Sequence, residues 1–277
     1  MNTGSVVLVE AVKLLRAADV PDAAGDARTL LAHAMGIDRG RLTLVLPERL
    51  EQGVEERFVD LIEKRCVRQP VSHLIGRRAF YGHDFKVTPQ VLDPRPETEE
   101  LVALVLTNPF ETVLDLGVGS GCILLSLLAA RNQATGVGGD LSAEALDVAA
   151  HNATQLKVED RVSFVRSDWF SNIVGRFDVI VSNPPYISDT EMAELSPDVF
   201  QWEPHLALTP GGDGLSPYRI LSERASEYLR PNGRLIVEIG HLQGPDVAAM
   251  FEAAGLKSVE IVKDLSGKNR IVSGING

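Results

Sequence analysis

Asn183-Pro184-Pro185-Tyr186 follows a short apolar run, Val179-Ile180-Val181-Ser182, and of all stretches in this chain it is the best suited to hold a reacting group. Consecutive prolines have no N–H to continue a sheet ladder, and the first keeps Asn183 extended, so a buried strand must end here in a rigid turn. The turn offers an amide side chain, carbonyl groups that no ladder consumes, and an aromatic ring. A planar group with two N–H donors fits such a cradle. The Asn183 oxygen accepts one hydrogen bond, the Pro184 carbonyl accepts the other, Pro185 stiffens the wall and Tyr186 covers the planar face. An ordinary strand-to-loop transition reads equally well from these four residues alone, because Asn-Pro pairs start many turns.

Upstream residues favour a pocket. Thr112-Val113-Leu114-Asp115-Leu116 reads as a buried strand, Gly117-Val118-Gly119-Ser120-Gly121 as a glycine turn, and the apolar run from Cys122 to Leu128 as a helix. Glycines let the backbone turn tightly and approach a ligand closely. The Gly-x-Gly-x-Gly spacing differs from the Gly-x-Gly-x-x-Gly of dinucleotide loops, and Asp115 would repel a pyrophosphate while attracting a cation. That combination favours S-adenosylmethionine, with Asp115, Gly117, Val118, Gly119, Ser120 and Gly121 as cofactor-binding candidates. A second strand, Gly136-Val137-Gly138-Gly139-Asp140, ends in a carboxylate about 20 residues beyond the glycine turn, where an acidic side chain can accept from a ribose hydroxyl pair. Capping the next helix is the competing role for Asp140, with Ser142 as the other cap candidate. A third strand, Val162 to Val165, leads to Asp168 and Trp169, placed for an adenine edge and face, although Trp169 suits a core equally well. Ligands of open α/β sheets bind outside the carboxyl ends of the strands, which adds Asn183 to the cofactor-binding set.

Those strand ends need a scaffold, and the composition permits one. The 277 residues carry 44% hydrophobic and 23% charged side chains, ordinary for a globular protein. No apolar run approaches the roughly 20 residues that span a bilayer. The first residues lack a secretory pattern, which leads us to expect a cytoplasmic protein. Cys66 and Cys122 have no His or Cys at metal-ligand spacing, so no metal is expected. A net charge of −11 argues against direct nucleic-acid binding. Residues 1–75 read as a small helical bundle with Val7, Leu8, Val12, Leu14 and Leu15 in its first stripe and Phe58, Leu61 and Ile62 in a later one. The bundle serves either substrate recognition or simple packing. Residues 76–90 suggest a β-hairpin linker around Gly82-His83, and residues 91–277 the catalytic α/β domain. Pro94-Arg95-Pro96 would stiffen the approach to a helix and wall one side of the site. The stretch beyond Tyr186, through Glu203-Pro204 and Gly212-Asp213-Gly214, reads as a loop, and the strands near Ser258–Val262 and Arg270–Val272 as an antiparallel edge hairpin.

The chain resembles the class I S-adenosylmethionine-dependent methyltransferases, and within them the peptide-chain release factor glutamine N5-methyltransferases of the HemK/PrmC type. The resemblance is carried by Pro94-Arg95-Pro96-Glu97-Thr98-Glu99, Asp115-Leu116-Gly117-Val118-Gly119-Ser120-Gly121, Asn183-Pro184-Pro185-Tyr186-Ile187, Glu203-Pro204, Gly212-Asp213-Gly214-Leu215 and Val237-Glu238-Ile239-Gly240. It implies a Rossmann-like, mostly parallel seven-stranded sheet with an antiparallel C-terminal hairpin. It also implies methylation of the glutamine in a release-factor Gly-Gly-Gln motif, with S-adenosylhomocysteine as product, by an enzyme expected to be a monomer. Val118 stands where the family often has Thr, and Asp93 where an aliphatic residue is usual. On this reading Asn183 and Pro184 are catalytic through positioning, because no residue offers itself as a general base. Methylation of a ribosomal-protein glutamine is one alternative. An adenine or cytosine amino-methyltransferase is another, disfavoured by the charge. A nucleotide-binding regulator or dehydrogenase is the alternative from another class.

Overall fold

Helical spacing builds the first part of the chain. Val7, Ala11 and Leu15 line the buried face of the helix Gly4–Ala17, and Ala27, Leu30 and Leu31 that of Ala23–Ala34. Phe58 and Ile62 line the buried face of Gln52–Cys66, and two shorter helices, Leu42–Val45 and Val71–Ile75, complete the set. Thr3 and Asp22 cap the first two by accepting from Val6 N and Gly25 N. Leu14 departs from the expected stripe. It lies between the turns that face the core and is 56% exposed.

In the computed structural model, which describes residues 2–277, the contacts sort into two units. The first runs to Arg77 and also takes in Ser196–Trp202. The buried Arg65 guanidinium explains this return of a distant segment: it donates to Asp26 Oδ2 and Asp198 Oδ2, each at 2.8 Å. Arg68 also pairs with Asp198, and Trp202 Nε1 donates to the Val67 carbonyl at 3.2 Å. A buried cation with both carboxylates in place is satisfied, and removing either would leave charge unpaired.

The second unit comprises Arg78–Leu195 and Glu203–Gly277. Strands β1 (Arg77–Phe80) and β2 (His83–Lys86) make the expected hairpin, turning through Tyr81 and Gly82, both at positive φ. The hairpin is more than a connector. Phe80 and Phe85 are buried in the same core as the helix Glu99–Leu106. A larger sheet follows from β3 (Thr112–Leu116), β4 (Thr135–Asp140), β5 (Val162–Arg166), β6 (Phe177–Ser182), β7 (Leu229–Glu238), β8 (Lys257–Lys263) and β9 (Asn269–Ile275). Its seven strands run in the order β5-β4-β3-β6-β7-β9-β8, with β9 antiparallel to both neighbours and the other pairings parallel. The C-terminal hairpin is thus antiparallel as expected, with its second strand inserted between β7 and β8.

Alternation on the strands fills both faces. Val113, Val179, Val181 and Ile236 pack on one side with the helices Glu99–Leu106, Cys122–Ala130 and Ala143–Leu156. Leu114, Leu116, Ile180 and Val237 pack on the other with Ser216–Tyr228 and Gly244–Ala253. β4 is rich in glycine because neighbours crowd it: a Cβ on Gly138 would stand 2.9 Å from both Phe164 and Val118. The stretch after Tyr186 is not one loop. It holds three short helices, Asp189–Met192, Pro197–Trp202 and His205–Leu208. Among the described residues no helix is long and apolar enough to cross a membrane.

Candidate active site

Chain order places β3, β4 and β5 progressively to one side and β6 and β7 to the other, so the sheet reverses direction between β3 and β6. Loops leaving such a reversal diverge and leave a crevice at the carboxyl ends. A cavity of about 510 Å³ opens there, within the size range of small-molecule sites. Gly117, Val118, Gly119 and Ser120 line it from the end of β3, Asp140 from β4, Asp168 and Trp169 after β5, and Asn183 and Pro185 after β6. Pro94, Arg95 and Thr98 line the side that the proline-stiffened approach was expected to wall.

The glycine loop is shaped by backbone. Gly117, Gly119 and Gly121 all have positive φ, a region that other residues occupy only under strain. The loop is tied to β4, since Gly117 N and Val118 N both donate to the Gly139 carbonyl, and Gly119 N donates to Asp140 Oδ2 at 2.9 Å. Asp140 Oδ1 accepts from Ser142 N at 2.9 Å. Ser142, not Asp140, caps the helix Ala143–Leu156, its hydroxyl accepting from Ala145 N. Each Asp140 oxygen therefore keeps acceptor capacity for a ligand hydroxyl. Burial raises its pKa, against the backbone N–H groups that lower it.

Four of the expected site residues do not line the cavity. Gly121 faces packing instead, since a Cβ there would stand 2.8 Å from Leu125. Pro184 is buried behind the turn. The Tyr186 ring, expected over a planar substrate, packs against the core on the Val237 face, because its carbonyl accepts from Gln243 Nε2 at 2.9 Å and the chain at Ile187 is pinned to Leu208. Gly214 allows this bracing: at φ 76° its missing Cβ would stand 2.3 Å from the Tyr186 carbonyl oxygen. Asp115 is fully buried just beneath the lining, and neither carboxylate oxygen has a hydrogen-bond partner. Burial pushes it up to about 7, with the charge of Asp140 adding to the rise and the Leu124 backbone N–H opposing it.

Other residues at the site are joined by pairings that no local stretch of sequence reveals. Ser182 Oγ donates to the Leu116 carbonyl at 2.6 Å and so joins the ends of β6 and β3. Asn152 Nδ2 donates to the Ser120 and Lys86 carbonyls while its oxygen accepts from Lys86 N, tying β2 to the glycine loop. Arg95 meets both oxygens of the buried Glu203, at 2.7 and 2.9 Å. Thr98 donates to Glu238 Oε2 at 2.6 Å, and Asn183 Nδ2 lies 3.4 Å from Thr98 Oγ1. No cluster of three or more His, Cys, Asp or Glu able to hold a metal ion occurs among the described residues.

The walls suit a cationic ligand. Asp140 and Asp168 face the space, Asp115 and Glu238 lie behind it, and glycine-loop backbone comes close without side chains. An unpartnered buried carboxyl such as Asp115 is costly by itself and is relieved by positive charge nearby.

Two family descriptions match the chain, "PrmC N-terminal domain" over residues 7–76 and "Methyltransferase small domain" over residues 95–214. A release factor glutamine methyltransferase of Cereibacter sphaeroides is 53% identical, with 95% of each chain covered. One of Caulobacter vibrioides is 42% identical, covering 94% of this chain and 92% of the relative. Among solved structures, a methyltransferase from Pyrococcus furiosus shares the fold with a TM-score of 0.54 at 19% identity, over 72% of this chain and 91% of the other. The 16S rRNA N2 G1207 methyltransferase of T. Thermophilus, solved with AdoMet and guanosine, shares it with a TM-score of 0.51 at 17% identity, over 73% and 50%.

Proposed function

This chain belongs to the release factor glutamine methyltransferases, and from that premise we propose that it methylates the side-chain amide nitrogen (N5) of the glutamine in a release-factor Gly-Gly-Gln motif. The observation that carries the reading is that one cavity collects the glycine loop, Asp140 and Asn183 from the ends of three strands. S-adenosylmethionine, when bound, supplies a methyl group already activated by a sulfonium.

The chain's own residues then have two tasks. Gly117, Val118, Gly119 and Ser120 cradle the cofactor, Asp140 accepts from its ribose, and Asp168 with Trp169 meets its adenine. Asp115 favours its positive charge from below the lining through a field that little water screens. Gly121 serves this group of residues as a packing position. Asn183 serves the substrate. An amide nitrogen is a poor nucleophile because its lone pair is delocalised into the carbonyl, so alignment matters more than activation. The Asn183 oxygen accepts one of the two amide hydrogens, fixing the nitrogen and stabilising positive charge as it develops, while Pro184, which was expected to accept the other, lies behind the turn and serves by stiffening it. Held in this way, the nitrogen would face the methyl group that the cofactor would supply, and its surplus proton would pass to water. Pro185 borders the substrate, while Tyr186 acts by bracing the turn. The helical residues 1–75 recognise the factor away from its glutamine.

Incubation with labelled S-adenosylmethionine and purified release factors tests this. Label should enter factors with the Gly-Gly-Gln glutamine and not those with that glutamine replaced. Equal labelling of both would overturn the assignment.

A further inference from the structure

An amide side chain is nearly the same shape at both ends, so packing alone barely distinguishes its oxygen from its NH2 group. Hydrogen bonding must decide which end of Asn183 faces the cavity. Thr98 Oγ1 is the only partner seen for the Asn183 side chain among the hydrogen bonds described, at 3.4 Å from Nδ2. A threonine hydroxyl has one hydrogen. Here it lies on Glu238 Oε2 at 2.6 Å, a length typical of a hydroxyl donating to a carboxylate. Thr98 is then left with lone pairs only, and Asn183 must offer it Nδ2. Thr98 is 2% exposed and Glu238 1%, so the hydroxyl and the carboxyl are each other's nearest partner. Glu238 is itself held, since Tyr218 Oη donates to its backbone carbonyl at 2.9 Å.

We propose that Thr98 and Glu238 are positioning residues, which orient the Asn183 amide so that its oxygen, and not its NH2 group, meets the reacting nitrogen. The proposal rests on the reading that Asn183 accepts a hydrogen bond from the substrate amide. It adds the reason that Asn183 is an acceptor there. Reversed, the amide would aim two donors at the substrate's donors.

The same chain makes the polarity sensitive to the proton on Glu238. Burial raises its pKa to about 7; Thr98 and the charges of Arg270 and Arg95 oppose the rise, and Glu97 adds to it. Tyr186, Tyr218 and Cys122 also face it, all neutral because burial raises each. Ionised, Glu238 can only accept. Protonated, it can give its hydrogen to Thr98, whose own hydrogen then turns to Asn183 and favours the reversed amide.

The test is single-turnover methylation of the whole protein with its release factor, alongside cofactor affinity by calorimetry and thermal melting. Thr98→Val keeps the shape and removes the hydroxyl. It should lower kcat by about tenfold with cofactor affinity unchanged, and Thr98→Ser should restore the rate. In an Asn183→Ala background Thr98→Val should cost nothing further, because it acts only through Asn183. Glu238→Gln should be slow and should lack the decline in kcat expected of the wild type as pH falls through 7. Should Thr98→Val melt early, Glu238→Gln poses the same question with the hydroxyl retained. A Thr98→Val enzyme at full rate, or one whose loss persists undiminished in the Asn183→Ala background, overturns the proposal while leaving the reading of Asn183 intact. Full activity in Asn183→Ala overturns that reading, and the proposal with it.

Discussion

Asp115 and Glu238 occupy similar places and are treated in opposite ways. Both are fully buried carboxyls on strands of one sheet, β3 and β7, near its carboxyl edge, and burial pushes both up to about 7. Glu238 holds the Thr98 hydroxyl, and the positive charges of Arg270 and Arg95 act on it. Asp115 has no side-chain partner; only the Leu124 backbone N–H opposes its rise, and the charge acting on it, that of Asp140, adds to it. A partnered buried carboxylate fixes geometry, whereas an orphaned one is a standing cost that a cation relieves. On the proposed reading, the β6–β7 side would orient a substrate and the β3–β4 side would receive a positive ligand.

Breaking the substrate side should have the largest effect. Asn183→Ala removes the acceptor at the reacting nitrogen and should lower kcat by on the order of 10²–10³, as for loss of one preorganised polar group. Cofactor affinity should stay near that of the wild type, since Asn183 acts chiefly on the amide. Wild-type turnover in a folded variant would remove the distinction between the two sides.

Breaking the cofactor side comes next. Asp140→Asn keeps the size but surrenders charge and half of the acceptor capacity that holds Gly119 N and Ser142 N. A hydrogen bond to a charged group contributes about 1.5–3 kcal/mol, so S-adenosylmethionine affinity should fall roughly ten- to a hundredfold by calorimetry. An unchanged affinity would refute the ribose assignment.

The two sides were not equally legible in the sequence. The glycine loop and β3 to β6 could be read because their determinants are local: alternating apolar residues, glycines at positive φ, and prolines that stop a strand. The cofactor candidates consequently came together, apart from Gly121 and the buried Asp115. The substrate side depends on partners far apart in sequence. Thr98 and Glu238 are separated by 140 residues, and Asn183 and Thr98 by 85, so no window contains the chain of hydrogen bonds. Tyr186 was misplaced for a similar reason, its position being set by Gln243 and Gly214. The same holds for Ser196–Trp202, which joins the helical unit through Asp198, 133 residues from Arg65.

The smallest effect is expected from Asp115→Asn, and it separates the two carboxyls most directly. The folded-state pKa of Asp115, about 7, lies above the ordinary carboxylate value, so between these pH values the folded protein holds a proton that the unfolded chain has released. The stability linked to this group is fully present below about pH 4 and is lost as pH rises through 7. Asparagine cannot ionise and escapes that loss. At pH 4 the variant and the wild type should melt together. At pH 8, without cofactor, the variant should melt higher by about 2–4 °C for each kcal/mol recovered. Saturating S-adenosylmethionine should shrink or reverse the gap, because its positive charge relieves the wild-type carboxylate and not the asparagine. A variant that melts lower than the wild type at pH 8 without cofactor would mean that Asp115 has a stabilising partner in the free protein. The contrast with Glu238 would then be lost.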